Sequence, residues 1–91
     1  MEWKLFAHLR DAAGGESVSV DVEPGETVEE ALTALVETEP ALRSELFEGG
    51  ELAYHIRLLV DGEDAFAARE GLATELTAET ELALFPPVSG G

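Results

Sequence analysis

The sequence contains no cysteine, and only five of its 91 residues are basic. Without cysteine, disulfide bonds, thiolate metal sites and cysteine nucleophiles are all excluded, so any sulfur chemistry must use sulfur supplied by another molecule. Twenty acidic residues against five basic ones give a formal net charge of -15. This charge opposes binding to the phosphate backbone of nucleic acids and to anionic membranes, and we expect neither as a direct partner.

Long apolar segments are also missing. No stretch approaches the roughly 18 apolar residues that cross a bilayer as a helix. The opening Met1-Glu2-Trp3-Lys4 lacks the basic segment and apolar run of a secretory signal. We therefore expect a cytoplasmic protein. With 91 residues and no linker-like composition, the chain is sized for a single domain.

The hydrophobic fraction of 45% predicts a folded chain despite the high net charge. The acidic residues are spread over the whole sequence, which is typical of a solvated acidic surface. Repulsion among them weakens the compact state unless salt screens it, and in molar salt the Debye length falls to about 3 Å. We interpret the composition as that of a halophilic protein, with an ordinary acidic small protein as the alternative.

The clearest helix signal begins at Thr27. Thr27 and Glu30 have the spacing of a capping box, in which each side chain hydrogen-bonds the backbone N–H of the other residue. A second, shorter helix is predicted over 40–47, ending at Gly49-Gly50. The apolar residues of the main helix recur at i, i+3, i+4, i+7 and i+8 and predict one stripe facing a sheet: Val28, Ala31, Leu32, Leu35 and Val36.

Several segments carry the signals of β-strands. In residues 18–22 valines alternate with polar residues, the period of a half-buried strand. Asp61-Gly62 is a two-residue turn whose positive φ angles suit a tight hairpin, so it predicts a strand on either side. Residues 67–80 have an ambiguous pattern and are not assigned. The predicted strands cover 3–8, 18–22, 54–60, 63–66 (a weak signal) and 81–85, with a short helix over 9–13.

The predicted order of strand, strand, helix, strand, weaker strand and strand is that of an α+β protein with a β-grasp fold. We expect a mixed sheet of about five strands with one main helix and one or two short helices. The β-grasp domain is predicted to cover 1–85, with 86–91 as a flexible tail. Pro86 and Pro87 end the last strand because neither can donate to a sheet ladder.

The tail has features that suit delivery of its carboxylate to another protein. Gly90 and Gly91 have no Cβ, so the backbone can pass through a narrow channel and the carboxylate is open to attack. Pro86 and Pro87 favour an extended conformation, and the tail reaches at most about 20 Å. No side chain from Pro86 onward is charged. For a bare Gly-Gly a frayed end or a cloning remnant is the favoured interpretation, but the preceding Phe-Pro-Pro-Val reverses the balance towards a functional tail.

The closing sequence Leu-Ala-Leu-Phe-Pro-Pro-Val-Ser-Gly-Gly closely resembles the C-terminus of the molybdopterin-synthase small subunits and the small archaeal modifier proteins. This family of ubiquitin-like sulfur carriers shares the β-grasp fold with ubiquitin and with the thiamine sulfur carrier. The resemblance extends over the whole chain, including the opening 3–9, the capped helix and the Asp61-Gly62 hairpin. One departure is Glu79-Thr80, where family members commonly carry Asp-Gly, so this turn must take another shape.

The resemblance implies that an E1-like activating enzyme uses ATP and Mg²⁺ to adenylate the carboxyl of Gly91, with no cofactor bound by this chain. Sulfur transfer would then give a thiocarboxylate, which donates sulfur to a molybdopterin precursor in the large subunit of molybdopterin synthase, or to tRNA. The activated glycine could instead form an isopeptide bond with a lysine of a target protein. The sequence does not separate these routes. The residues that would guide the tail into a partner are Pro86, Pro87, Val88, Ser89 and Gly90.

No catalytic side chain is predicted in the chain itself. As the small subunit of a molybdopterin synthase it would belong to an enzyme only in complex, because the partner supplies the lysine and the pocket. His8 and His55 are far apart in sequence with no companion at ligand spacing, so no metal site is predicted. We expect a monomer in isolation. The alternative function is a non-conjugated β-grasp interaction module whose tail is never activated.

Two surface features are predicted. Leu59, Ala83 and Phe85 are candidates for a docking patch on the sheet face away from the main helix, although burial in the core explains them equally well. Lys4 is the only lysine, so chains of this protein would have to grow from Lys4 or start at the N-terminal amine, and Lys4 is the candidate acceptor of an isopeptide bond. An ordinary solvent-facing residue on the first strand is the alternative for Lys4.

Overall fold

The computed structural model describes residues 1–86 of the chain. The first part contains strand β1 (Glu2–Leu5), helix α1 (His8–Ala13), strand β2 (Ser17–Ser19), the main helix α2 (Val28–Thr38) and a 3₁₀ turn (Pro40–Leu42). Helix α3 (Arg43–Leu46) and the short strands β3 (Phe47–Glu48) and β4 (Glu51–Leu52) follow. The last part contains β5 (Arg57–Val60), β6 (Glu63–Asp64), helix α4 (Ala65–Ala68), a second 3₁₀ turn (Gly71–Ala73) and β7 (Leu82–Phe85).

Five of these strands form one mixed sheet in the order β2-β1-β7-β5-β6, and β3 pairs with β4 in a separate hairpin. The central pair, β1 and β7, is parallel, with Trp3 opposite Leu82 and Leu5 opposite Leu84. The other pairs of the sheet are antiparallel. Strands from the two ends of the described chain are therefore neighbours in the sheet. The predicted β-grasp arrangement, a mixed sheet holding one main helix, is confirmed.

Helix α2 begins as the sequence predicts. The Thr27 hydroxyl accepts a hydrogen bond from the Glu30 N–H at 3.4 Å, and the Glu30 carboxylate accepts one from the Thr27 N–H at 2.9 Å. This capping box satisfies N–H groups that have no partner within the helix. The predicted apolar stripe is confirmed, since all its members are buried in the core: Val28, Ala31, Leu32, Leu35 and Val36.

The indole of Trp3 joins the sheet to α2. Trp3 is 0% exposed, and its Nε1–H donates a hydrogen bond to the Ala31 carbonyl oxygen at 3.0 Å. The ring therefore buries a large apolar area while its one polar group stays satisfied. The other inward-facing side chains of the three central strands are also buried: Leu5, Leu58, Val60, Leu82 and Leu84.

The hairpin predicted at Asp61-Gly62 is confirmed. The φ angles of Asp61 and Gly62 are 52° and 81°, the positive values that such a turn requires. The Asp61 N–H donates to the Glu81 carbonyl oxygen at 2.8 Å, and Asp61 Oδ1 accepts from the Glu81 N–H at 2.9 Å. The return strand, predicted over 63–66, ends earlier at Asp64, because the Asp64 carboxylate accepts hydrogen bonds from two N–H groups of α4 and caps that helix.

Residues 67–80, ambiguous in sequence, complete α4, form a 3₁₀ turn and then run beside the start of α2. The Val28 N–H donates to the Thr74 carbonyl oxygen at 2.9 Å, and the Leu76 N–H donates to the Glu26 carbonyl oxygen at 2.8 Å. These partners are distant in sequence, so no local periodicity reveals the pairing. At the Glu79-Thr80 departure, the Thr77 N–H donates to the Thr80 hydroxyl at 2.8 Å, and this hydrogen bond helps to fix the turn before β7.

The second helix, predicted over 40–47, differs in form. Pro40 begins a 3₁₀ turn that leads into α3, and Phe47 already belongs to β3. Gly49 and Gly50 have positive φ and form the turn of the β3–β4 hairpin, not the end of a helix. The strand predicted over 54–60 begins only at Arg57. Strands of two residues are too short to leave a period-2 pattern, which explains why the hairpin was not predicted.

The charge of the chain predicts that its stability depends on ionic strength. With twenty acidic residues and five basic ones, most carboxylates have no compensating cation. Raising the ionic strength from about 10 mM to about 150 mM shortens the Debye length from about 30 Å to about 8 Å. We expect the thermal unfolding midpoint, followed by circular dichroism, to rise over this range, with the fold loosest at the lowest salt.

Screening must be separated from the strengthening of apolar burial by excluded salts such as sulfate. Potassium chloride and potassium sulfate at equal, low ionic strength should raise the midpoint equally if screening is the cause. A midpoint that stays constant from low to molar salt would contradict the halophilic interpretation.

Candidate functional site

The sheet face away from α2, called here the outer face, carries the three residues predicted as a docking patch. Leu59 lies opposite Ala83 in the β5–β7 ladder, and Phe85 lies two positions further along β7. All three are half-buried, while the residues between them in the strands point inward and are buried. The structure therefore brings the three side chains together, and strand alternation places them on the face that α2 does not cover.

Phe6 extends this patch, although sequence reasoning did not single it out. Its ring stacks on the ring of Phe85, with centroids 4.1 Å apart and an interplanar angle of 9°. Phe6 is 39% exposed, so the stack forms part of the apolar surface. Phe6 follows β1 and Phe85 ends β7, and only the parallel pairing of these strands brings the two rings together. No local sequence signal carries that information.

Pro86, assigned to the tail from the sequence, is buried. It therefore packs with the domain, and its burial leaves no backbone donor unsatisfied because proline has no N–H. The remaining predicted tail residues lie outside the described residues: Pro87, Val88, Ser89, Gly90 and Gly91. The chain leaves the described domain next to the Phe6–Phe85 stack.

Lys4, the candidate conjugation acceptor, lies on the outer face opposite Ala83 in the β1–β7 ladder. Its side chain is 59% exposed, and its Nζ lies 3.7 Å from Glu81 Oε1. An ion pair this exposed contributes little to stability, so the amine is accessible to other groups. The use of Lys4 as an acceptor stays a prediction.

The two histidines lie in different parts of the fold. His8 begins α1 and is exposed, whereas His55 is half-buried in the turn before β5, edge-on to the Tyr54 ring at a centroid distance of 5.4 Å. Within residues 1–86, no three His, Asp or Glu side chains are placed to hold a metal ion. Over the same residues, no helix combines the length and apolar character needed to cross a membrane.

A groove of about 950 Å³ lies on the helix side of the domain, between α2 and the β3–β4 hairpin. Leu32 and Val36 form part of its wall, and Arg43 and Phe66 also line it. Phe66 is 54% exposed and its ring lies over Gly71, where an added Cβ would come within 2.9 Å of the ring. Since α2 separates this groove from the sheet, it is distinct from the outer face.

Comparison with known proteins places the whole chain among proteins of similar size. The ThiS family matches residues 3–91. Small archaeal modifier protein 1 of Haloferax volcanii is 55% identical over 92 residues, covering 100% of both chains. A crystal structure of SAMP1 from Haloferax volcanii is similar with a TM-score of 0.89 at 52% identity, covering 100% of this chain and 98% of that one.

A more distant structure, the crystallised BexX/CysO complex of Amycolatopsis orientalis, contains a chain similar to this one with a TM-score of 0.79 at 27% identity. The match covers 99% of this chain and 98% of that one. These similarities confirm the ubiquitin-like β-grasp fold. The Haloferax source of the more similar relative supports the halophilic interpretation of the composition.

Proposed function

This chain belongs to the ThiS family, and on that basis we propose that it is a ubiquitin-like protein modifier and sulfur carrier, activated at the carboxyl group of Gly91. The observation that carries the proposal is that the similarity to known proteins extends to the last residue of the chain. The family match continues through residue 91, and small archaeal modifier protein 1 aligns over 100% of both chains. Gly90 and Gly91 therefore lie inside the region of similarity.

The activation proceeds on a partner, an E1-like enzyme that holds ATP and Mg²⁺. A carboxylate oxygen of Gly91 attacks the α-phosphorus of ATP, pyrophosphate leaves, and an acyl-adenylate forms. A sulfide equivalent then attacks the acyl carbon, AMP leaves, and a thiocarboxylate remains. Because the chain has no cysteine, this sulfur comes from a separate donor.

In this reaction the described domain is the part of the chain that the activating enzyme recognises. The patch of Leu59, Ala83, Phe85 and Phe6 lies beside Pro86, the last described residue. Five further residues reach at most about 17 Å from there. An activating enzyme that covers the patch must therefore hold its nucleotide within about that distance of the patch edge.

Two routes use the same activated end. In one, the thiocarboxylate donates sulfur in the cytoplasm to a molybdopterin precursor held by the large subunit of molybdopterin synthase, or to tRNA. In the other, the amine of a target lysine attacks the acyl carbon of the adenylate, AMP leaves, and an isopeptide bond forms. The exposed Nζ of Lys4 makes it a candidate acceptor for chains of this protein.

The test is the intact mass of the C-terminal fragment that ends at Gly91, from protein purified without reducing agents out of its native cells. A fragment heavier by the difference between one sulfur and one oxygen atom establishes carrier chemistry. A branched peptide joining Gly91 to a lysine establishes conjugation. An unmodified carboxylate in every preparation, including one incubated with ATP and cell extract, would overturn the proposal in favour of a non-conjugated interaction module.

The sequence determines which branched peptide trypsin would leave on a conjugate. Arg69 is the last basic residue, so trypsin leaves a remnant running from Glu70 to Gly91 on any modified lysine. A search for a short diglycine remnant would miss such conjugates. The expected branch is the full peptide 70–91.

A further inference from the structure

Basic residues are concentrated beside the point where the chain leaves the described domain. Arg57 lies opposite Phe85 in the β5–β7 ladder. Lys4 and Arg10 line a cleft of about 340 Å³ together with Phe6, next to the Phe6–Phe85 stack. We call these five residues the basic corner. It holds three of the five basic residues of a chain whose net charge is -15.

The other end of the same face is acidic. Glu2 and Glu81 are exposed at the starts of β1 and β7, and the exposed Asp61 is hydrogen-bonded to Glu81. Because β1 and β7 are parallel and β5 runs against them, these three residues share one end of the sheet, while Arg57 and the Phe6–Phe85 stack lie at the other. Lys4 lies between the two ends, with its Nζ 3.7 Å from Glu81 Oε1, and Asp61 at the acidic end lies 3.9 Å from the Arg69 guanidinium.

The basic groups of the corner are only loosely paired within the domain. Lys4 lies 3.7 Å from Glu81, Arg10 lies 3.7 Å from Asp11, and Arg57 lies 4.0 Å from Asp64. Each of the three basic side chains is at least 51% exposed. Ion pairs of this kind contribute little, so a partner can replace them at small cost.

Arg69 provides the contrast. Its guanidinium makes contacts of 2.8 Å and 2.7 Å with the Glu63 carboxylate, and its side chain is 33% exposed. This close, charge-assisted pair ties Arg69, at the end of α4, to the β5–β6 hairpin. The basic groups of the corner make no ion pair this close, so they are available to an external carboxylate.

We propose that the basic corner is the specificity-determining part of the docking surface, and that it binds a carboxylate-bearing patch on the activating enzyme. The proposal rests on the function proposed above. Proteins of a salt-rich cytoplasm carry acidic surfaces, so two of them repel unless one presents local positive charge at the contact. The corner supplies that charge around an apolar stack, next to the tail that the enzyme must receive.

The cleft indicates how one such contact is made. Lys4 and Arg10 border it, the Phe6 ring forms one wall, and Glu16 and Ser17 also line it. A carboxylate entering between Lys4 and Arg10 gains two cations and approaches Glu16, and it replaces the loose contacts that Lys4 makes with Glu81 and Arg10 with Asp11. In molar salt the Debye length is about 3 Å, so only such direct contacts, and not long-range attraction, select the partner.

The test compares charge reversals that change the net charge equally. Arg57→Glu and Lys4→Glu alter the corner, while Arg43→Glu places the same change in the groove on the helix side. The probe is the activating enzyme, purified from the source cells. ATP-pyrophosphate exchange with the unmodified chain identifies the fractions that contain it. We expect each corner reversal to raise the KM for the chain at least about tenfold with kcat unchanged, because it opposes like charges at the contact. Arg43→Glu should keep the KM of the unmodified chain. Arg57→Lys, which keeps the positive charge, should have a KM much closer to that of the unmodified chain than Arg57→Glu has.

Circular dichroism and the thermal midpoint of each variant exclude misfolding as the cause. Equal KM values for the corner and Arg43 reversals, with exchange intact, would overturn the role of the basic corner and leave the proposed function standing. Absence of exchange with the unmodified chain would instead overturn the proposed function. The two failures are thus distinguishable.

Discussion

Deletion of Gly90 and Gly91 is expected to abolish both adenylation by the activating enzyme and the appearance of conjugates in cells. The deletion moves the carboxylate to Ser89, whose Cβ and hydroxyl crowd the acyl carbon, and it shortens the tail by up to about 7 Å. The carboxylate then neither fits a channel shaped for glycine nor reaches the nucleotide. The measurements are ATP-pyrophosphate exchange in solution and high-mass species detected with a tagged chain in cells.

The stability of the domain should not change in this variant, because the deletion keeps every core residue among residues 1–86. Its thermal midpoint should match that of the full chain, which separates loss of the acyl group from loss of the fold. Ser89→Ala is a matched control that alters the tail but keeps Gly-Gly, and it should retain exchange. Full activity and normal conjugates after the deletion would support a passive interaction module instead.

Replacement of Trp3 by alanine is expected to cause the largest loss of stability of any single truncation in the sheet. Trp3 is fully buried on β1, which lies between β2 and β7, and its indole N–H bonds the Ala31 carbonyl oxygen of α2. Truncating a buried aromatic side chain of this size costs about 3 to 5 kcal/mol. Domains of this class are stable by only about 5 to 15 kcal/mol, so the variant should be partly or wholly unfolded in low salt.

Urea unfolding at fixed high salt, followed by circular dichroism, measures this loss. Tryptophan fluorescence cannot be used, because Trp3 is the only tryptophan in the chain. Trp3→Phe keeps an aromatic ring but removes the N–H, and it should cost much less than Trp3→Ala. A Trp3→Ala variant that loses less than about 1 kcal/mol would show that the indole does not hold the sheet to α2.

The features that the sequence determines are those whose signals are local. The capping box of Thr27 and Glu30 and the five-residue apolar stripe of α2 depend on spacings within one helix, and the structure has both. The Asp61-Gly62 turn depends on two residues that tolerate positive φ. From these elements and the strand alternation, the β-grasp arrangement could be predicted before any contact was known.

The predicted boundaries of helices and strands were less accurate where a side chain caps a helix and so ends a strand, or where an element is very short. Asp64 caps α4 and so ends β6 two residues before the predicted limit. The β3–β4 hairpin has two residues per strand and leaves no periodic signal. Pro86 is assigned to the tail from the sequence, yet it is buried. Burial depends on which residues pack around a side chain and not on its type alone.

The chain's charge, its lack of thiols, its main helix and the family resemblance of its Gly-Gly end could all be derived from the sequence alone. The tertiary structure decided which distant residues meet: Phe6 with Phe85, the 67–80 segment with the start of α2, and the basic residues with the apolar patch. The physical reason is that local patterns fix the conformation of short segments, whereas the parallel pairing of β1 with β7 joins residues separated by most of the chain. The docking surface is a product of that pairing.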